Sequence, residues 1–461
     1  MNDTTQARQE NKMGVMPVGR LLISMSIPMM ASMLVQALYN IVDSIFVSYI
    51  NENALTAVSL AFPIQNLMIA FGSGTGTGVN ALLSKSLGEK NFERANKAAV
   101  NGIFLFFLTF IAFAVFGMLG SKAFFLTQTD VSEIVEYGTE YLSVCTIFSF
   151  SLFGQIIFER LLQATGNTFY VMITHVVGAI VNIILDPIMI FGLIGFPAMG
   201  IKGAAVATVI GQTCGFLAAV WFNLRKNHEI SISFKRFKPD LQIIKRIYAV
   251  GIPSTLMISI GSIMNYFLNK ILLSFTETAS AVFGVYFKIQ SFVFMPIIGL
   301  NQGLIPIVAY NFGARRKERL LKTVRLAITY AVSITLTGLL LFQLFPNTIL
   351  GLFNATENML AIGIPALRII SLSFIFMGFC IIAGGVFQAL ARGVLSLSVS
   401  VIRQLVVLLP AAYLLSLTGS VNAVWWAFPI AEIASVVFSS VFLRLVYRRQ
   451  IMNLDREIVV P

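Results

Sequence analysis

Twelve apolar runs, each longer than the roughly 20 residues needed to cross a bilayer, leave this chain few folds to choose from. They lie near 21–49, 54–84, 95–120, 133–161, 168–193, 200–224, 246–274, 279–311, 322–346, 359–389, 394–416 and 421–445. Hydrocarbon offers no partner to a backbone N–H or C=O, so only helices and closed barrels span it, and runs of this length predict helices. Composition agrees. Only 11% of the 461 residues are charged and 57% are hydrophobic, whereas soluble domains carry about 25% charged residues. A soluble fold of this size could not cover its surface with so few charges. Several runs exceed the minimum length and must tilt, kink or project beyond the hydrocarbon.

Basic residues orient the spans. They cluster at 85–97, 225–246, 315–325 and 444–449, and the alternate connections offer little beyond Lys122 and Lys202. The positive-inside rule then predicts both termini in the cytoplasm. The net charge of +12 faces anionic headgroups rather than nucleic acid, because it sits in short loops between spans. No apolar stretch precedes residue 20, so no cleaved signal peptide is expected and the first span is expected to serve for insertion. Cys145, Cys214 and Cys380 lie far apart in apolar runs, a spacing that suggests neither a metal site nor a disulfide framework.

The chain is also duplicated. "FPIQN" at 62–66 matches "FKIQS" at 287–291, and "GEKNFER" at 88–94 matches "GARRKER" at 313–319. Pro28 and Pro253, Gly74 and Gly299, Gly78 and Gly303, and Gln163 and Gln388 all keep the same separation, 253 − 28 = 225. Six helices per repeat is an even number, which makes the halves parallel repeats, a device of transporters that rock two bundles about a central site. The expected fold is an all-α polytopic membrane protein with 12 transmembrane helices in two six-helix lobes and a central cleft. The expected divisions are a cytoplasmic segment at 1–20, an N-lobe at 21–224, a linker at 225–245, a C-lobe at 246–446 and a cytoplasmic tail at 447–461.

Two carboxylates interrupt the apolar runs of the first half: Asp43 in "YNIVDSIFV" and Asp186 in "VNIILDPIMIF". A carboxylate in hydrocarbon costs about 3 kcal/mol or more, so it faces a bundle interior or a wet cavity. Both spans run outward. At 1.5 Å per residue Asp43 lies about 10 Å below its outer end, and Asp186 lies at a similar depth. Asn182 precedes Asp186 by one turn, Asn40 and Tyr39 precede Asp43 by one turn, and Thr208 of the sixth span falls near the same level. Pro187 predicts a local kink and a freed carbonyl. Such oxygens can bind Na⁺, and the carboxylates can carry protons instead; the sequence leaves both open. The second half has Leu268 and Ala411 at the corresponding positions. It carries Lys288, Arg403 and Glu432 within spans instead, read as a structural ion pair between Glu432 and one of the cations. Lys270 and Arg368 are read as interfacial.

The pattern resembles the multidrug and toxic compound extrusion (MATE) family over nearly the whole chain. It does so through "YNIVDSIFV", "GTGVNALLSKSLGEKNFERA", "FERLLQATGNT", "NIILDPIMIFG", "GAAVAT" and the paired "SIP" and "GIP". The acids of the first and fifth spans look like the DinF-like branch, which includes bacterial drug pumps of the MepA type. The resemblance implies a bacterial cytoplasmic-membrane antiporter without a cofactor, in which Na⁺ or H⁺ enters while a cationic, amphipathic drug or dye leaves. It implies that Asp43, Asn182 and Asp186 hold the coupling cation, with Thr208 a looser member, and that Tyr39, Gln36 and Tyr141 belong to the same cavity.

A drug surface should be apolar and adaptable, and methionine and aromatic rings suit cations. Met33, Gln36 and Met172 are lining candidates, and His175 reads as a packed or cavity-edge histidine. A monomer is expected. Three other readings stand beside this one. A lipid-linked oligosaccharide flippase of the same superfamily would need a basic cavity. A membrane enzyme finds no catalytic set here, and "GSGTGTG" at 72–78 reads as close helix packing rather than a phosphate loop. A receptor or scaffold would not need acids at matched depth.

Overall fold

A computed structural model describes residues 10–454 apart from Arg236 and Asn354. The start of the expected N-terminal segment, residues 455–461 of the expected tail and the basic Arg236 therefore lie outside the described residues. The described residues form helices joined by short turns, with no strand.

A short α1 (Lys12–Val15) precedes α2 (Val18–Ser48), α3 (Glu52–Gly88), α4 (Phe92–Leu119) and α5 (Ser121–Leu126). The N-lobe continues with α6 (Ser132–Ile147), α7 (Phe150–Ala164), α8 (Thr168–Phe191) and α9 (Ile201–Lys226). The C-lobe holds α10 (Leu241–Leu273), α11 (Glu277–Gly313), α12 (Lys317–Leu344), α13 (Pro346–Gly351), α14 (Glu357–Ser371) and α15 (Phe374–Ala389). It closes with α16 (Gly393–Val401), a π-helical stretch Ile402–Leu408, α17 (Leu409–Ser416), α18 (Val421–Trp425), α19 (Ala427–Val446) and a final π turn Tyr447–Ile451. Ten of the described helices are long and apolar enough to cross a membrane, and two bent pairs complete the set at twelve.

The duplication is visible in the backbone itself. α3 and α11 start at Glu52 and Glu277 and end at Gly88 and Gly313, each pair 225 residues apart. Lys90 and Arg315 take left-handed φ values of 56° at matching turns, and so do Gly166 (91°) and Ala391 (59°). A left-handed alanine is disfavoured, so the Ala391 turn is held by its surroundings. Matching side chains cap the matching starts: Asn51 Oδ1 accepts from the Ala54 N–H and Thr276 Oγ1 from the Thr278 N–H.

The fourth and tenth spans depart from the expectation of single runs at 133–161 and 359–389. α6 and α7 meet at 43°, and α14 and α15 at 51°. Both breaks fall at a serine–phenylalanine pair, Ser149–Phe150 and Ser373–Phe374. The Ser373 hydroxyl bonds back to the Ile370 carbonyl at 2.7 Å, a local bond that competes with the helical ladder. The kink expected at Pro187 does not end a helix: α8 runs through Pro187 to Phe191. Pro28, Pro63 and Pro253 likewise lie inside continuous helices.

The lobes meet where α2 packs on α11 and α3 on α10. Glycine permits that approach. A Cβ on Gly78 would lie 2.1 Å from the Ile247 carbonyl oxygen, and one on Gly303 would lie 2.6 Å from Ser26 Oγ. Gly74 likewise abuts Gly251 and Thr255, so "GSGTGTG" is a helix-packing face. The expected polar segment 1–20 has a structural part the sequence did not suggest. Met13 of α1 is fully buried. Asn11 donates to the Thr165 carbonyl of the N-lobe at 3.0 Å, while Asn311 and Arg319 of the C-lobe donate to the carbonyls of Met13 and Met16. α1 thus ties both lobes together at the basic end. The linker is shorter than expected, since α9 continues to Lys226 and α10 begins at Leu241.

Candidate cation and cargo site

Two acids on neighbouring helices share the interior of the N-lobe. α2 packs on α8, which buries Asp43 to 9% exposure and Asp186 completely. Asn182, one helical turn before Asp186, donates its amide to Asp186 Oδ1 at 3.1 Å and lies 3.4 Å from Thr208 Oγ1 on α9. The small residues Gly178 and Gly211 let α8 and α9 approach closely enough for this bridge. Among the described residues, three buried oxygens in this region have no protein partner: Asp43 Oδ1, Asp186 Oδ2 and Asn182 Oδ1. An unsatisfied buried oxygen costs about 1–3 kcal/mol, more when charged. A group of them is therefore suited to a cation or to protons. The two carboxylates interact electrostatically, and the charge of Asp43 also reaches Tyr39, Tyr141 and Cys145.

Beside this group a cavity of about 550 Å³ lies between the lobes. Met33, Gln36 and Tyr39 line it from α2, His175 and Asn182 from α8, and Thr208 from α9. Ser254 and Met257 of α10, Asn301 and Gln302 of α11, and Arg403 and Gln404 of the π-helical stretch complete the far wall. Asp43 and Asp186 do not line the cavity, and Asp186 is joined to its wall through Asn182.

Three of the expected residues lie elsewhere. Asn40 is exposed and outside the cavity, although it lies only one turn before Asp43 on α2. It is therefore removed from the cation group. Met172 is half-buried beside the lining residue Val171 and does not reach the cavity. Tyr141 is 2% exposed and packs in a separate cluster with Val47 and Ile190, where its hydroxyl accepts from Gln65 at 3.1 Å. It neighbours Asp43 without facing the cavity.

The structure adds a charged stretch the sequence reading passed over. α7 presents Gln155, Glu159, Arg160 and Gln163 to the cavity. His175 lines the cavity and pairs there with Glu159 at 3.0 Å. Arg160 reaches Gln302 of the other lobe at 3.2 Å. The available signal was an acid beside a base inside an apolar run, but near the end of a span such a pair also reads as interfacial. In the C-lobe, Glu432 pairs with Arg403 at 3.4 Å, while Lys288 is exposed. Lys270 and Arg368 are exposed as well.

Two six-span lobes around a shared cavity, with buried acids on one side, define the class of multi-pass membrane transporters. The MatE family model matches twice, at residues 28–188 and 253–414, in the register of the internal duplication, and the chain belongs to this family. It is 26% identical over 414 residues to the multidrug export protein MepA of Staphylococcus haemolyticus, covering 90% of each chain. Among solved structures it resembles the outward-facing conformation of a multidrug resistance MATE family transporter, with a TM-score of 0.89, 26% identity and coverage of 97% and 99%. A MATE structure in the straight conformation matches with a TM-score of 0.88, 27% identity and the same coverage.

Proposed function

We propose that this protein exports cationic, amphipathic organic compounds in exchange for Na⁺ or H⁺. The observation that carries the reading is the set of unpartnered oxygens on Asp43, Asn182 and Asp186 beside a cavity shared by both lobes. A cation or proton at that set neutralises charge that otherwise strains the α2–α8 contact. Occupancy then favours whichever arrangement of α2 brings the oxygens together, and only such differential binding can shift the lobes between two open states. Tyr39, Gln36 and Met33 lie on the cavity face of the same helix, so a shift of α2 alters the room available to cargo. The basic end faces the cytoplasm in this reading, with both termini there. One chain encloses the whole cavity, so a monomer suffices.

The test is ethidium efflux from proteoliposomes with Na⁺ and pH gradients imposed one at a time. Transport driven by either gradient supports the reading and names the coupling ion. Efflux indifferent to both overturns it. A flippase for a lipid-linked pyrophosphate has one point in its favour, the cavity-facing Arg160 and Arg403. Both charges are already balanced, Arg160 by the adjacent Glu159 and Arg403 by Glu432, which leaves little positive charge for a phosphate.

A further inference from the structure

Glu159 differs from the Asp43 and Asp186 pair in its company. It is 6% exposed yet lies on the cavity wall. Gln155 Nε2 at 2.9 Å and Thr174 Oγ1 at 2.7 Å both donate to its Oε1, and His175 Nε2 lies 3.0 Å from its Oε2. Two neutral donors therefore fix the carboxylate, and the third partner is an imidazole, a side chain that exists in neutral and protonated forms. The surrounding charges are few. Arg160 adjoins on α7, Tyr39 faces the pair from α2, Asp186 lies further along α8, and α9 carries Cys214, with Arg225 and Lys226 only in its last turn. Across the cavity stands Arg403, already paired with Glu432. With His175 neutral, Glu159 balances Arg160 and Glu432 balances Arg403. A proton on His175 makes this wall net positive.

We propose that Glu159 and His175 form a second, acid-sensitive subsite of the cavity, which takes the positively charged nitrogen of an organic cargo and is separate from the coupling oxygens. The inference rests on the proposed export of cationic compounds and adds where the cation binds and how it is released. Glu159 attracts the cargo while His175 is neutral. A proton on His175 supplies the same carboxylate with a cation of its own and repels the cargo. The competition is reciprocal: cargo that weakens proton binding is weakened by protons by the same factor. A subsite opening to an acidic exterior therefore discharges its cargo there. It is not duplicated, since the positions 225 residues on are Gly384 and Ser400.

The test is ethidium binding to the purified full-length protein in nanodiscs, read by fluorescence anisotropy from pH 5.5 to 8. Ethidium keeps its charge over this range, so any pH dependence belongs to the protein. Wild type is expected to bind about tenfold more weakly at the acid end. His175→Gln keeps an amide donor toward Glu159 but cannot charge, and its binding should lose most of that dependence. Glu159→Gln should bind about tenfold more weakly at pH 8, with Glu159→Asp intermediate. If Glu159→Gln does not fold, Glu159→Asp and His175→Gln decide the matter. Wild-type affinity and an unchanged pH dependence in these variants would overturn the subsite while leaving gradient-driven export intact. Failure of wild type to export ethidium under either gradient would instead overturn the function on which the subsite rests.

Discussion

In the N-lobe, Asp43, Glu159, His175 and Asp186 stand where the C-lobe, 225 residues on, has Leu268, Gly384, Ser400 and Ala411. In the C-lobe, Arg403 and Glu432 stand where the N-lobe has Gly178 and Ala207. Yet the two lobes share helix boundaries, caps, left-handed turns and even the broken fourth span. Backbone geometry was preserved in both copies because interlocking helices tolerate little change, while each buried charge was retained in one copy only. The difference lies in how the charges are satisfied. Glu432 has a cationic partner on its own lobe. Among the described residues no ion pair is seen for Asp43 or Asp186, and each keeps an open oxygen. A paired charge is costly to break by removing one partner; an unpaired one is available for exchange.

That contrast breaks most visibly at the acids. Asp43→Asn and Asp186→Asn should each lose nearly all gradient-driven ethidium efflux while reaching the membrane in normal amount, measured in proteoliposomes and by immunoblot. Full transport by either variant would remove coupling from the N-lobe. The C-lobe pair should respond in stability instead. Glu432→Leu leaves Arg403 without its carboxylate and is expected to cost about 3 kcal/mol, read as a lower Tm in detergent. Arg403→Met added to Glu432→Leu should recover most of the loss, and an unaltered Tm in the single variant would count against a structural pair.

Smaller effects sharpen the shared frame. Gly78→Ala presses a Cβ onto the Ile247 carbonyl at the lobe interface and should cost about 1–3 kcal/mol as overpacking. Gly284→Ala, on the same helix as the Gly303 contact but with open space around its Cβ position, should cost nothing measurable in the same thermal assay. Smallest of all, Lys288→Ala removes an exposed charge. It should stay within about 0.5 kcal/mol in stability, with ethidium efflux unchanged. A large loss there would return Lys288 to the mechanism.

The spans were readable because lipid forces every crossing segment into a helix, and the boundaries at Thr168 and Ser416 follow from polar punctuation. The breaks at 148–149 and 372–373 were not readable. Proline is the usual signal for a break, yet Pro187 and Pro28 are absorbed into continuous helices, while serines with apolar neighbours mark the real bends. Asp43, Asn182 and Asp186 were conspicuous because charge and amide are rare in apolar runs. Asn40, Met172 and Tyr141 were misplaced relative to the cavity for a related reason. α2 and α8, which hold Asn40 and Met172, are apolar on nearly every side and give little rotational signal to say which face looks inward.

The sequence by itself determined a membrane protein of twelve helices, its duplication, and which residues carry charge where charge is costly. Those properties depend on local composition and on one constant spacing. Only the tertiary structure decided which charges meet: His175 with Glu159, Glu432 with Arg403, Asn182 between Asp186 and Thr208. Each of these contacts joins different helices or depends on the rotation of a helix about its axis, and that rotation is set by how glycine and side chains of neighbouring spans interlock.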